Sequence, residues 1–541
     1  MAHNSIPEES FLEALHSRLP QVLPEFLMHR RWFGGKARGI RTVEVLDVVP
    51  VYRPALRGCL VLIKVRYASG SDDTYDIPLV RVPDGAAQTV FDSASVLKFP
   101  YETFSEDIML ADALSDELFL SCLLEAIAQG ASFRGSKGEV RAVSTNALAA
   151  LWPRTLDPLV PSLMKAEQSN SSVVYGQRLV LKIFRRVEQG INPDLEIGLF
   201  LTQQSSFRNI PPVAGHLEYL SDDGTLTSLG VLQGYVTNQG DAWQFTLRAL
   251  SEYYGKAQGR TLAAGDIPRD PILALSDQGL PDKARLRIGS YLDAAALLGR
   301  RTAELHMTLA SAQQDPAFTP ERLSEAGQQG FAISARDLVT ANFGLLRRLR
   351  AEMPNHIRQK ADEVLSLEEN ACRRFQLFAE RRLPAVVTRI HGDYHLGQVL
   401  FTGNDFVIID FEGEPARSLE ERRRKRSPLQ DVAGMLRSFH YAAYAPLLQP
   451  GPAPGPYEGL QALGRWAYYW QRWVSAAFLK AYLEVSRDSQ FISQDTQELA
   501  LLLDAYLLDK AVYELGYELN NRPSWVQIPL EGISQLLLDP G

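Results

Sequence analysis

Residues 390–414 read I-H-G-D-Y-H-L-G-Q-V-L-F-T-G-N-D-F-V-I-I-D-F-E-G-E. His391-Gly392-Asp393 opens a polar loop, and Gln398 follows Asp393 by five residues. Phe406 to Ile409 is apolar and β-branched, the pattern of a buried strand. Asp410 and Glu412 follow it, one residue apart. A carboxylate, an amide five residues on and a second carboxylate after a short hairpin together predict an acid–base group beside a site for a hard cation.

Working outward, the chain has 541 residues, 45% hydrophobic and 22% charged, which suits a globular protein of several units. The formal net charge of -8 argues against nucleic acid as a partner. Cys59, Cys122 and Cys372 lie far apart and form neither a disulfide framework nor a zinc pattern. The acidic start M-A-H-N-S-I-P-E-E-S is not a signal peptide, and no run of 18 apolar residues exists. The expectation is a cytoplasmic protein with no membrane span.

Upstream of the opening stretch the pattern changes twice. Residues 8–29 carry helical periodicity, and R-R-W-F-G-G-K-A-R follows at 30–38. Val43–Val51, Cys59–Tyr67 and Thr74–Val82 alternate as strands. Residues 107–129 read as helical. Ser162 to Phe184 reads as strand, polar loop at 168–172, and strand, with Lys182 in the second strand. Asn192 caps a helix that starts at Pro193 and carries Glu196. Beyond Asp241 the text is helical almost to the end, apart from 390–414 and the Pro/Gly-rich 449–456. The fold class is α+β, with a cap at 1–100, a β-rich nucleotide-binding lobe at 101–240 and a helical lobe at 241–541: a bilobal, protein-kinase-like layout.

Phosphoryl transfer requires positioning and charge rather than covalent chemistry. Asp393 is placed to accept a hydroxyl proton. Gln398, Asp410 and Glu412 offer oxygen ligands to Mg²⁺. Lys182, held by Glu196, is placed for the α/β-phosphates of ATP. Ser169, Asn170 and Ser171 would cover those phosphates, and Gln233, Tyr235 and Val236 stand where a hinge would meet adenine. A lone H-G-D also occurs in ordinary turns, Lys182 alone reads as a snorkelling strand lysine, and the 168–172 loop lacks glycines. The order Lys182, Glu196, Asp393, Gln398, Asp410 carries the reading instead. The basic run 422–426, flanked by Glu420 and Glu421, reads as a solvated loop. Lys510, Tyr513 and Glu514 share a helical face, which suits either a sugar or ordinary surface pairing.

Five motifs give the chain a family resemblance: 30–38, H-G-D-Y-H-L-G-Q at 391–398, D-F-E-G-E-P at 410–415, S-P-L-Q-D-V-A-G-M-L-R-S-F at 427–439 and K-A-V-Y-E at 510–514. On these the sequence resembles maltokinase, including the kinase domains fused to trehalose synthase, within the aminoglycoside-phosphotransferase-like superfamily. The resemblance covers nearly the whole chain, with extra length at 240–290. It implies transfer from ATP, with Mg²⁺, to the anomeric hydroxyl of maltose, giving α-maltose 1-phosphate for α-glucan synthesis. It implies Asp393 as base, Gln398 and Asp410 as metal ligands, and Lys510 to Glu514 at the sugar. His391, His395 and Arg437 are further candidates for the substrate side. Association with trehalose synthase is a further expectation. The rival readings are a kinase of glucosamine, an aminoglycoside or choline, and a nucleotide-binding regulatory module.

Overall fold

The computed structural model describes residues 8–52, 58–82, 96–100, 107–153, 158–164, 169–312, 314–448 and 456–538. The chain divides into two units, Met1–Thr237 and Asn238–Gly541.

In the first unit, α1 (Glu8–Met28) buries Leu15, Leu19, Leu23 and Leu27 at the helical repeat. They join the core of a curled antiparallel sheet. Its strands are β1 (Ile40–Tyr52), β2 (Gly58–Tyr67), β3 (Asp73–Arg81), β4 (Val96–Pro100) and β5 (Asp107–Asp112), in the order β1-β2-β3-β5-β4. The 30–38 motif is part of this core. Trp32 and Phe33 are buried against Tyr75, with ring centroids 6.0 and 5.3 Å away. Arg38 lies over Tyr67 at 3.7 Å and pairs with the buried Asp73.

The helix expected over 107–129 begins later than its periodicity suggested. Residues 107–112 pair with β3 and β4, with Ile108 and Leu110 turned into the core. The helix α2 (Glu117–Gln129) starts where the Asp116 side chain accepts from Phe119 N at 2.8 Å. Apolar residues two apart serve a strand as well as a helix, and the cap decides the boundary.

A second, seven-stranded antiparallel sheet follows. Its strands are β6 (Ser132–Arg134), β7 (Gly138–Ser144), β8 (Pro161–Leu163), β9 (Ser171–Tyr175), β10 (Leu179–Ile183), β12 (Val213–Ser221) and β13 (Leu226–Gly234). The order is β6-β7-β12-β13-β10-β9-β8. The short β11 (Arg186–Val187) returns to β3 and ties the two sheets together. Asp47 of β1 makes a second tie. It is fully buried, and its carboxylate accepts from Ser136 N, Ser136 Oγ, Lys137 N and Tyr219 Oη at 2.8, 2.8, 3.0 and 2.9 Å.

Among its described residues, the second unit is mostly helical, with two small antiparallel pairs. These are β14 (Glu321–Arg322) with β15 (Val386–Val387), and β16 (Val399–Phe401) with β17 (Phe406–Ile408). The helices used below are α3 (Tyr291–Leu309), α4 (Glu325–Leu349), α5 (Leu429–Leu448), α6 (Pro456–Ser486) and α7 (Thr496–Asn521). α3 and α6 approach so closely that a Cβ at Gly299 would stand 2.2 Å from Phe478 O. Two further helices, Asn355–Ser366 and Glu368–Glu380, meet at a break at Leu367. The extra length at 240–290 forms the helices Ala242–Ala257, Ile272–Asp277 and Asp282–Ile288. Tyr253 Oη donates to Trp466 O on α6 at 3.1 Å, so this segment is part of the helical core. The Pro/Gly-rich 449–455 lies outside the described residues. Among the described residues no helix is long and apolar enough to cross a membrane.

Replacing Asp47 by Ala leaves several buried donors without an acceptor and should lower the stability of the full chain by roughly 2–4 kcal/mol. Urea unfolding followed by tryptophan fluorescence measures this. An unchanged midpoint contradicts the role given to Asp47.

Candidate functional site

The loop at 391–398 is held by its neighbours. Asp431, buried on the first turn of α5, accepts from His391 N at 2.7 Å and Gly392 N at 2.9 Å. It also meets His306 Nε2 of α3 at 3.0 Å, and His306 Nδ1 meets Tyr482 Oη at 3.0 Å. Burial disfavours the Asp431 charge, but these partners outweigh it and hold its pKa below the ordinary aspartate value. Tyr394 is buried, with Oη 2.9 Å from Thr302 Oγ1, and Leu396 N donates to Ser438 Oγ at 3.1 Å. α5 reaches the loop at Gly434, where a Cβ would stand 2.6 Å from Tyr394 O.

This scaffold presents Asp393, partly exposed, between two nitrogen groups. His395 Nε2 is 3.8 Å from Oδ2, and Lys510 Nζ of α7 is 3.8 Å from Oδ1. His395 Nδ1 accepts from Gly397 N at 3.0 Å, so Nε2 carries the proton in the neutral ring and faces Asp393. Lost hydration keeps that ring below the ordinary histidine pKa, although Asp393 pulls the other way. His391 is different. It is buried, its Nε2 donates to Ile409 O at 2.9 Å and its Nδ1 accepts from Asp393 N at 3.4 Å. Both nitrogens are spent on backbone, so His391 positions the loop instead of meeting substrate, a correction to its sequence-based role.

The hairpin β16–β17 carries the chain from Gln398 to Asp410. Arg301 anchors it with two parallel bonds to Asp405, both 2.8 Å. Gln398 Nε2 donates to Asp410 Oδ2 at 2.9 Å, which sets the two side chains together. Asp410 has φ 67°, a left-handed conformation that costs a non-glycine residue about 1–3 kcal/mol and that clusters at functional sites. Carboxylate oxygens of Asp410 and Glu412 come within 4.8 Å of each other. Two carboxylates and an amide oxygen form a hard-oxygen donor set that fits Mg²⁺.

Beside Asp393 a cavity of about 960 Å³ runs between α4 and the 414–427 segment, over α7. Lys510, Tyr513, Glu414, Arg417 and Asp509 line it around Asp393. Glu414 is buried. Its Oε2 accepts from Arg417 Nε at 2.8 Å. Burial works against its charge, but Lys510, the Tyr513 hydroxyl and Arg417 hold its pKa below the ordinary glutamate value. Burial raises the Asp509 carboxyl to about 6 against the pull of Arg417 and Lys510.

Two other expected sugar contacts lie elsewhere. Glu514 is turned about 100° further round α7 than Tyr513. Its Oε2 accepts from Arg437 Nε at 2.9 Å and Nη2 at 2.7 Å, and both side chains are largely buried. Neither lines the Asp393 cavity, so the pair joins α5 to α7. Glu414 and Asp509 were missed from sequence. Glu414 sat inside the D-F-E-G-E-P motif, and only the cavity separates it from a surface acid.

In the first unit, β10 buries Leu179, Leu181 and Ile183 and turns Lys182 to the other face. Lys182 Nζ meets Asp194 Oδ2 at 3.0 Å, and that carboxylate is buried. Asp194 stands in the first turn of Pro193–Gln203, where Asn192 accepts from Asp194 N at 2.9 Å and the helix N-terminus favours an anion. Sequence had named Glu196, two residues further along the helix and partly exposed. Ser171 is no part of a phosphate cover. It opens β9, is buried, and its Oγ accepts from Arg185 Nε at 2.9 Å. Ser169 and Asn170 precede it in a bend, and 165–168 lie outside the described residues. Gln233 pairs with Val180, and Tyr235 N donates to Arg178 O at 2.8 Å. Tyr235 and Val236 follow β13 and lead to the end of the unit at Thr237.

Two family descriptions match this chain. "Phosphotransferase enzyme family" matches residues 268–439, which include the Asp393 loop and Asp410, and "Maltokinase N-terminal cap domain" matches residues 26–116. The chain carries a phosphotransferase-family domain together with a maltokinase-type cap. Its fold is that of the kinase-like aminoglycoside phosphotransferases. A glucosamine kinase of Mycolicibacterium smegmatis is 22% identical over 375 residues, 69% of this chain and 79% of that protein. One of Streptacidiphilus jiangxiensis is 24% identical over 382 residues, 69% of this chain and 72% of the relative. A solved glucosamine kinase in complex with glucosamine, ADP and inorganic phosphate superposes with a TM-score of 0.60 at 16% identity, over 94% of this chain and 95% of that one. Together these matches support a sugar kinase.

Asp431→Asn puts an amide where the His391 and Gly392 N–H groups need an acceptor. Turnover should fall at least about tenfold through displacement of the loop, since small misplacements of reacting groups cost that much or more. Steady-state kinetics beside a thermal melt checks this. Wild-type turnover contradicts the positioning role.

Proposed function

We propose that this chain transfers the γ-phosphoryl group of ATP to the anomeric hydroxyl of maltose, forming α-maltose 1-phosphate for α-glucan synthesis in the cytoplasm. The observation that carries the choice of sugar is the maltokinase-type cap at 26–116 in the same chain as the Asp393 loop. Asp393 receives the anomeric proton as that oxygen attacks the phosphorus in line. An anomeric hydroxyl is more acidic than an ordinary alcohol, so a carboxylate suffices as acceptor. Gln398, Asp410 and Glu412 would hold Mg²⁺, which when bound neutralises charge on the phosphate oxygens. Lys182, braced by Asp194, meets the α/β-phosphates, with Glu196 on the same helix, and Gln233, Tyr235 and Val236 meet adenine. Ser169 and Asn170 remain candidates at the phosphates. His395, Lys510 and Tyr513 surround the sugar, and trehalose synthase is the expected partner.

Glucosamine is the second reading, favoured by the names of the curated relatives and of the solved structure above. An ADP-release assay across maltose, glucose, glucosamine and kanamycin separates the two. Release with maltose above all others is expected, and release only with glucosamine contradicts the first reading. Asp393→Asn should lower kcat on maltose about 10²–10⁴-fold. ATP affinity, measured by calorimetry, should stay within about twofold, because the lost interaction belongs to the transition state. Near-normal turnover by this variant removes Asp393 from the chemistry.

A further inference from the structure

The cavity beside Asp393 is lined by charges of both signs. Asp393 and Glu414 are carboxylates. Lys510 and Arg417 are the cations nearest them, with Lys510 Nζ 3.8 Å from Asp393 Oδ1 and Arg417 Nε 2.8 Å from Glu414 Oε2. Lys510 acts on both acids. Burial would lower its pKa, but Asp393, Glu414, Glu514 and Asp509 together raise it above the ordinary lysine value. It is thus a full cation at neutral pH. Its ammonium also lies 5.0 Å from the centre of the Tyr513 ring, a cation–π contact that restrains it. Glu414 itself is tied to Arg417 and to the Tyr513 hydroxyl, so its charge is already partnered within the protein.

We propose that Lys510 is a charge selector. Its ammonium occupies the place beside Asp393 that an amino sugar's ammonium would take, so the cavity admits neutral hydroxylated sugars and rejects cationic ones. This rests on the phosphotransfer reading of Asp393. A cationic substrate would have to approach Lys510 in a partly dehydrated site, where like charges repel more strongly than in water. Without the Lys510 charge Asp393 would lose its neighbouring ammonium, and the same place would favour an ammonium from the ligand. Lys510 therefore decides between the two sugars that the proposed function leaves in competition.

The test compares wild type, Lys510→Met and Lys510→Arg. Calorimetry gives the affinities for maltose, glucose and glucosamine, and turnover on the same sugars is measured in parallel. Glucose and glucosamine differ by one hydroxyl against one ammonium, so their ratio isolates charge from size. In Lys510→Met the preference for glucosamine over glucose should rise by about tenfold or more relative to wild type. Lys510→Arg should keep the wild-type ratio. Binding does not need turnover, so a slow Lys510→Met still reports. An unchanged ratio in Lys510→Met overturns the selector, as does wild type binding glucosamine more tightly than glucose. Absence of maltose turnover in wild type, with the ratio shifting as stated, refutes the maltose reading and leaves the selector standing.

Discussion

The site in the helical unit depends on one buried carboxylate whose partners are backbone N–H groups and a histidine. Asp431 accepts from two consecutive backbone N–H groups, those of His391 and Gly392, and from His306 of α3. Burying a charge costs several kcal/mol per ion unless it is paired, so this group is tolerable only while every partner is present. That all-or-none requirement fixes the start of the catalytic loop relative to α3 and α5. Tyr394 and Ser438 extend the restraint, and Asp393 is left as the one loop carboxylate facing the cavity.

A second restraint sits at the other end of the hairpin. Asp410 is held in a left-handed conformation, beside Gln398 and near Glu412. Strain of that kind persists only when the surroundings over-determine it. Here the Arg301–Asp405 pair and the β16–β17 register supply the determination. Both ends of the opening stretch are therefore fixed by groups that do no chemistry, which is what transfer by positioning requires.

How legible this was depended on sequence distance. Asp393, Gln398 and Asp410 lie within 18 consecutive positions, and a hairpin of that length has few ways to fold, so their association could be read directly. Lys182 betrayed itself as a charge in an apolar strand. Its carboxylate partner was harder, because Asp194 and Glu196 both sit near a helix start and only the Asn192 cap geometry brings Asp194 to 3.0 Å. The Arg437–Glu514 pair joins residues 77 apart, and the helical face shared by Lys510, Tyr513 and Glu514 divides between a cavity and a helix contact. Ser171 looked like loop because polar residues mask strand alternation, whereas Arg185 buries it. The β5 strand at 107–112 was read as helix because two-residue and helical spacings overlap in short apolar runs.

The central claim is that phosphate is delivered to the anomeric oxygen of maltose. Phosphorus NMR of the product from maltose, ATP and Mg²⁺ tests it most directly. The account predicts a sugar phosphate whose phosphorus couples to an α-anomeric proton and whose formation is abolished in Asp393→Asn. A phosphate on any other hydroxyl, or maltose left unmodified while glucosamine is consumed, contradicts it.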